Sequence, residues 1–165
     1  MVEVARALGL RLREASLFNA RVALGQVKKH GAVNITAGTK GGRGHHVDRW
    51  VPVSKSDMGC LIRAAKAQEQ GRNLIPPDLS WRQWNSKIHH VWAAVRDDYG
   101  LKKIHDLRAA YACDRYKQLT GSVAPVVAGR RIADRSTDRA ARLTIAHELG
   151  HARIDVVSAY IGGLR

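Results

Sequence analysis

The sequence predicts an α+β fold that is mainly α, with a small antiparallel β-sheet near the N-terminal third. Three observations predict it. Apolar residues recur at helical spacing over most of the chain. Two short β-prone runs, AVNITA (32–37) and DRWVPV (48–53), flank a glycine-rich stretch and read as a hairpin. The length, 165 residues, is that of one domain with a real core, so residues 1–165 are expected to form a single unit.

Residues 1–20 read as helix broken at Gly9, with Leu8, Leu10, Leu12 and Leu17 as apolar positions. Residues 21–53 change character, and TKGGRGHH joins the two strands as an exposed basic turn. From Ser54 helical spacing returns. Ser54 or Ser56 is the expected cap of a helix carrying Met58, Leu61, Ile62 and Ala65 inward and ending near Gly71. Pro76-Pro77 marks a connector, after which Ser80 and Gln83 form a capping box. The helix it opens puts Trp84, Ile88, Val91, Trp92 and Val95 on one face and stops at Tyr99-Gly100. A helix is expected from Asp106 to Leu119, a loop from Gly121 to Ser136, a helix from Thr137 to Leu149, and a short last one over Ile154–Ile161. Trp81, Trp84 and Trp92, at helical spacing, read as packing residues rather than base-stacking platforms.

Composition narrows the class. With 45% apolar and 25% charged residues the chain is not disordered, and no apolar run approaches the roughly twenty residues of a membrane span. The charged N-terminus is not a secretory signal. Cys60 and Cys113 cannot make a disulfide framework and are expected to be reduced thiols in the cytoplasm. Lys and Arg total 28 against 14 acidic residues, a net charge of +14. Such an excess repels itself in a compact fold unless a polyanion offsets it, which points to nucleic acid. Charge alone names a partner and no chemistry.

Three local patterns carry chemistry. His105 and Arg108 share one side at the start of a helix, where imidazole, guanidinium and amide donors can converge on a phosphate. Leu149-Gly150-His151 reads as a helix C-terminal glycine with a histidine in the turn, followed nine residues on by Tyr160. Gly9-Leu10-Arg11-Leu12-Arg13-Glu14 is a helix break in which Glu14 can orient Arg11. Singly, each has a plainer reading: a solvated histidine with a surface salt bridge, a core tyrosine, a solvated helix face.

Their combination and order, with a lysine in TKGGRGHHVDRWVPV between the first and second boxes, resemble the catalytic domain of tyrosine recombinases, the phage integrase family. The resemblance runs from about residue 2 to Tyr160. It implies that Arg11, Lys40, His105, Arg108 and His151 surround a scissile phosphate, with Glu14 supporting Arg11 and Tyr160 as the nucleophile. It further implies DNA integration or recombination through a 3′-phosphotyrosine, with the arginines doing what a metal does in many nucleases, so that no metal and no cofactor are expected. Arg43, on the Lys40 turn, and Arg130-Arg131 are expected DNA contacts. Double-stranded DNA is the implied partner, a homotetramer the implied assembly, and a bacterial or phage-encoded mobile element the setting. Family members usually carry an N-terminal core-binding domain, so the chain is expected to be a piece of a longer protein, poorly active alone.

One competing motif is present. His147-Glu148-Leu149-Gly150-His151 matches HExxH, the helix signature of zinc metalloproteases, with two histidine ligands and a glutamate base. The 14 residues after His151 contain no His, Cys or Glu to serve as third ligand. Two further readings compete with strand exchange: a recombinase relative that grips DNA without cutting it, and a type IB topoisomerase that relaxes DNA through the same tyrosine intermediate.

Overall fold

A computed structural model describes residues 1–163, apart from the side chains of Arg43, His45 and Tyr99. Nine α-helices and one two-stranded sheet are present among the described residues, so the chain is mainly α with a small sheet, as its patterning predicts. No helix among them is long and apolar enough to cross a membrane.

Helix α1 (Val2–Leu8) buries Val4, Ala5 and Leu8 and ends at Gly9, whose φ of 60° is left-handed. The break resets the chain for α2 (Leu12–Ser16), where the Arg11 amide donates to the Glu14 carboxylate at 2.8 Å. Helix α3 (Ala20–His30) corrects the reading of residues 21–31 as non-helical. Its cap is Asn19, which accepts from the Val22 amide, and its buried side chains are only Ala20 and Ala23. Leu24 and Val27, partly buried, extend this face against the core at helical spacing.

Strands β1 (Ala32–Asn34) and β2 (Trp50–Pro52) pair antiparallel, Val33 opposite Val51. The expected hairpin is therefore present, although each strand is only three residues long. Between them residues Lys40–His45 coil as a 3-10 turn.

Helix α4 (Met58–Gln68) follows a 3-10 turn capped by Ser54. It turns Cys60, Leu61 and Ala64 inward, while Ile62, expected inside, is exposed. The capping box at Ser80 and Gln83 opens α5 (Trp81–Val95) as predicted. This helix buries Ile88 and Trp92; Val91 and Val95 are exposed, and so is Trp81, which lies under the Arg13 guanidinium rather than in the core. Helix α6 (Asp106–Thr120) crosses the middle of the core through Leu107, Tyr111, Ala112 and Tyr116.

The segment expected to be loop at 121–136 contains α7 (Pro125–Ala128), opened by a proline at its first position. Helix α8 (Arg135–Glu148) begins two residues earlier than predicted because Asp134 caps it. A 3-10 turn leads into the last short helix, α9 (Ser158–Ile161), close to the prediction.

Candidate active site

Glu14 organises the floor of a cleft. Its side chain is fully buried, and three guanidinium groups gather on it: Arg11 at 2.8 Å, Arg49 at 2.8 Å and Arg108 at 3.8 Å. Burial pushes the Glu14 carboxyl up, but Arg49, the Arg11 amide, Arg108 and Arg11 together hold it below the usual carboxylate range. The carboxylate stays ionised and fixes the cations around it.

Arg108 lies at the centre and is wholly buried. Its Nη1 donates to the Gly9 carbonyl and its Nη2 to the Leu149 carbonyl, so it ties the first helix break to the end of α8. Both carbonyls are free to accept because the chain leaves its helix there. At Gly150, φ 68°, the His151 amide donates to the Ala146 carbonyl and the Gly150 amide to the His147 carbonyl. That pair is the Schellman closure of a helix, and it places His151 two residues beyond Leu149. Burial, then Arg11 and Arg49, push the Arg108 pKa down to about 10, which leaves it charged at neutral pH.

Tyr160 meets this arrangement from α9. Its hydroxyl accepts from Arg108 Nε at 3.3 Å and lies 3.4 Å from His151 Nε2. Arg108 Nη2 is 3.2 Å from the same imidazole nitrogen. Guanidinium only donates, so Nε2 is the acceptor and the His151 proton resides on Nδ1. Burial, then Arg108, Arg11 and Arg49, push His151 down to about 4, consistent with a neutral ring. His105 precedes α6, exposed, with its ring 5.6 Å from that of Tyr160; partial burial and then Arg108 and Arg11 lower its pKa as well.

Lys40, on the exposed 3-10 turn, lines the open part of the cleft with Arg11, Thr39, Arg49, His147 and His151, around a space of about 80 Å³. The structure thus brings six predicted residues and Glu14 to one place, from five separate stretches of chain. A family model for integrases matches residues 1–114, well over half the chain.

The chain belongs to the integrase family.

DNA is therefore the integrase's partner, and integration or recombination its activity at the level the family defines. The matched span contains Arg11, Lys40, His105 and Arg108; His151 and Tyr160 lie beyond it. Comparison with curated proteins and with solved structures gave no match.

Not every expected residue converges. Arg130 is exposed on the segment after α7, and Arg131 lines a separate groove with Arg135, Arg139 and Arg142. The Arg43 side chain lies outside the described residues. The HExxH run is not one continuous helix, because α8 ends at Glu148. Although His147 and His151 both line the cleft, the Glu148 carboxylate is directed to Arg115 at 2.8 Å and to the Tyr111 hydroxyl at 2.8 Å. Among the described residues no three His, Cys, Asp or Glu side chains are grouped to hold a metal.

Sequence reasoning missed Arg49. Its Nη1 pairs with Glu14 and its Nε donates to the Glu148 carbonyl at 2.7 Å, bracing β2 against the end of α8. Its Nη2 is buried without a hydrogen-bond partner among the described residues. The only local signal was a cation inside a strand-like run.

Proposed function

We propose that this integrase cleaves and rejoins DNA strands through a covalent 3′-phosphotyrosine on Tyr160. The observation that carries the reading is the convergence of Arg108 and His151 on the Tyr160 hydroxyl, at 3.3 and 3.4 Å. A phenol ordinarily titrates near 10, so attack at neutral pH needs an acceptor for its proton and a cation beside its oxygen. Neutral His151 Nε2 is the acceptor and Arg108 is the cation.

In the proposed step the phenol proton passes to His151 and the phenolate oxygen bonds to phosphorus. The bond to the 5′-oxygen breaks, and Lys40 donates a proton to that leaving oxygen. Arg11, His105 and Arg108 offset the charge that builds on the non-bridging oxygens. The buried Arg49 Nη2 is a further donor at the floor of the same cleft. Attack by another strand's 5′-hydroxyl reverses these transfers, and the phenolate leaves readily, so rejoining needs no nucleotide. Exchange between two DNA sites calls for four nucleophiles, hence four copies of the protein.

A zinc protease would need the Glu148 carboxylate beside the two histidines, and its hold on Arg115 and Tyr111 supports strand transfer instead. The test is covalent trapping on a nicked duplex that loses its 5′-hydroxyl fragment. Wild type is expected to form adducts and Tyr160→Phe none, with DNA affinity retained. Adducts that persist in Tyr160→Phe overturn the assignment of Tyr160, and a wild type that binds DNA without adducts points to the non-catalytic relative.

A further inference from the structure

Helix α9 has four residues, too few to hold its own shape, so the position of Tyr160 depends on what grips this segment. The grip comes from α8. Arg142 is 1% exposed, and its Nη1 donates to Ser158 Oγ at 3.2 Å and to the Gly162 carbonyl at 3.0 Å. Its Nη2 reaches the Gly163 carbonyl at 3.4 Å. These partners bracket Tyr160, Ser158 two residues before it and Gly162 two after.

The remaining edge of the guanidinium is fixed from below. Arg142 Nε donates to Asp138 Oδ2 at 2.9 Å, and Asp138 Oδ1 accepts from the Tyr116 hydroxyl at 2.8 Å. Asp138 and Tyr116 are as buried as Arg142 itself. On the far side α7 backs the segment: a Cβ at Gly162 would come within 2.8 Å of the Val126 amide nitrogen.

We propose that Arg142, set by Asp138 and Tyr116, is the positioning residue for the nucleophile: it clamps both ends of the Tyr160 helix and sets how deeply the phenol meets Arg108 and His151. The inference rests on the assignment of Tyr160 as nucleophile. A buried ion pair contributes little net stability compared with well-packed apolar residues, but a guanidinium's donors lie in one plane in a rigid fork. Acceptors on both sides of Tyr160 must meet that plane together. A slip of one residue along a helix displaces a side chain by about 1.5 Å and turns it by about 100°, which would carry the phenol out of reach of His151.

The test compares wild type with Arg142→Lys, Arg142→Met and Ser158→Ala in two measurements. The first is the single-turnover rate of adduct formation on the nicked duplex at saturating DNA, with DNA affinity measured alongside. Arg142→Met is expected to cleave about 100-fold more slowly at unchanged affinity, the order of loss that a misplacement of about 1 Å brings. Arg142→Lys is expected to be nearly as slow, because an ammonium keeps the charge and loses the fork. A purely charge-balancing role would instead be rescued by lysine. Ser158→Ala, which removes one acceptor and leaves the buried pair intact, is expected to slow cleavage several-fold with an unchanged melting temperature, which keeps the test open if Arg142→Met folds poorly.

The second measurement is amide hydrogen exchange. Exchange over residues 158–163 is expected to accelerate in the Arg142 variants while α6 and the sheet stay protected. Wild-type cleavage rates in Arg142→Lys and Ser158→Ala, or unchanged exchange over 158–163, overturn the clamp. A wild type without adducts overturns the assignment of Tyr160, and the exchange data then still decide whether Arg142 holds the segment.

Discussion

On the floor of the cleft, Arg108 and Arg49 are buried and direct their N–H groups at Glu14 and at the carbonyls of Gly9, Leu149 and Glu148. On its rim, Lys40 stands exposed on a 3-10 turn and His105 exposed before α6. The residue types are similar and the physics differs. A floor cation holds the fold together as well as the site, since it links α1, β2 and the end of α8. A rim cation faces water, where its charge contributes little to stability. Substitutions on the floor should therefore register as lost stability first, and those on the rim as lost chemistry alone.

Glu14→Ala tests this most severely. It leaves three guanidinium groups around an empty centre, and removing one partner of a buried pair costs about 3–5 kcal/mol. Urea melts should show that loss; a change below about 1 kcal/mol would break the distinction between floor and rim. Gly9→Ala comes next. A Cβ there would lie 2.5 Å from Tyr111 Cδ1 and 2.9 Å from Leu149 Cδ2, on a backbone with φ 60°. Left-handed strain and overpacking together predict a loss of about 2–4 kcal/mol. Adduct formation should fall with it, because the Gly9 carbonyl orients Arg108.

His151 predicts a smaller, pH-dependent effect. Its pKa is pushed down to about 4 in the folded protein, against about 6.5 for a free imidazole. Between those values the unfolded chain holds the extra proton, so stability falls as pH is lowered from about 6.5 toward 4. His151→Gln should flatten that slope in melts recorded across the range, with His105, shifted the same way, keeping part of it. An equally steep slope in the variant would contradict the burial of this ring among arginines. Lys40→Ala should move stability least, within about 0.5 kcal/mol, as surface substitutions do. As the proposed proton donor it should still slow strand cleavage by about 100-fold or more. Loss of stability at Lys40 would place it on the floor after all.

How much was legible in the sequence follows the same division. Features encoded within a few residues were readable: the break at Gly9, the capping box at Ser80 and Gln83, the turn at Gly150, and the hairpin around the glycine-rich stretch. Short motifs likewise pointed to Arg11, His105, Arg108, His151 and Tyr160, and the fold brings them together. Helix α3 was legible in Ala20, Ala23, Leu24 and Val27 at helical spacing, and was missed because the β-prone run at 32–37 follows it directly. Arg49 was missed for a different reason. Its partners lie 35 and 99 residues away, so nothing near it in the chain announces burial. Ile62 and Val91 misled in the opposite direction, as apolar residues at helical spacing that face outward.

The Glu14 cluster has one more consequence. Three guanidinium groups share a single carboxylate, so the cluster carries two unbalanced positive charges, Arg49 and Arg108 buried and Arg11 open to the cleft. Such a hollow favours compact oxyanions over chloride, and anything that occupies it lowers the free energy of the native state alone. Sulfate should therefore delay thermal unfolding of this protein at concentrations too low for general salting-out, and it should do so less once Arg11 is replaced.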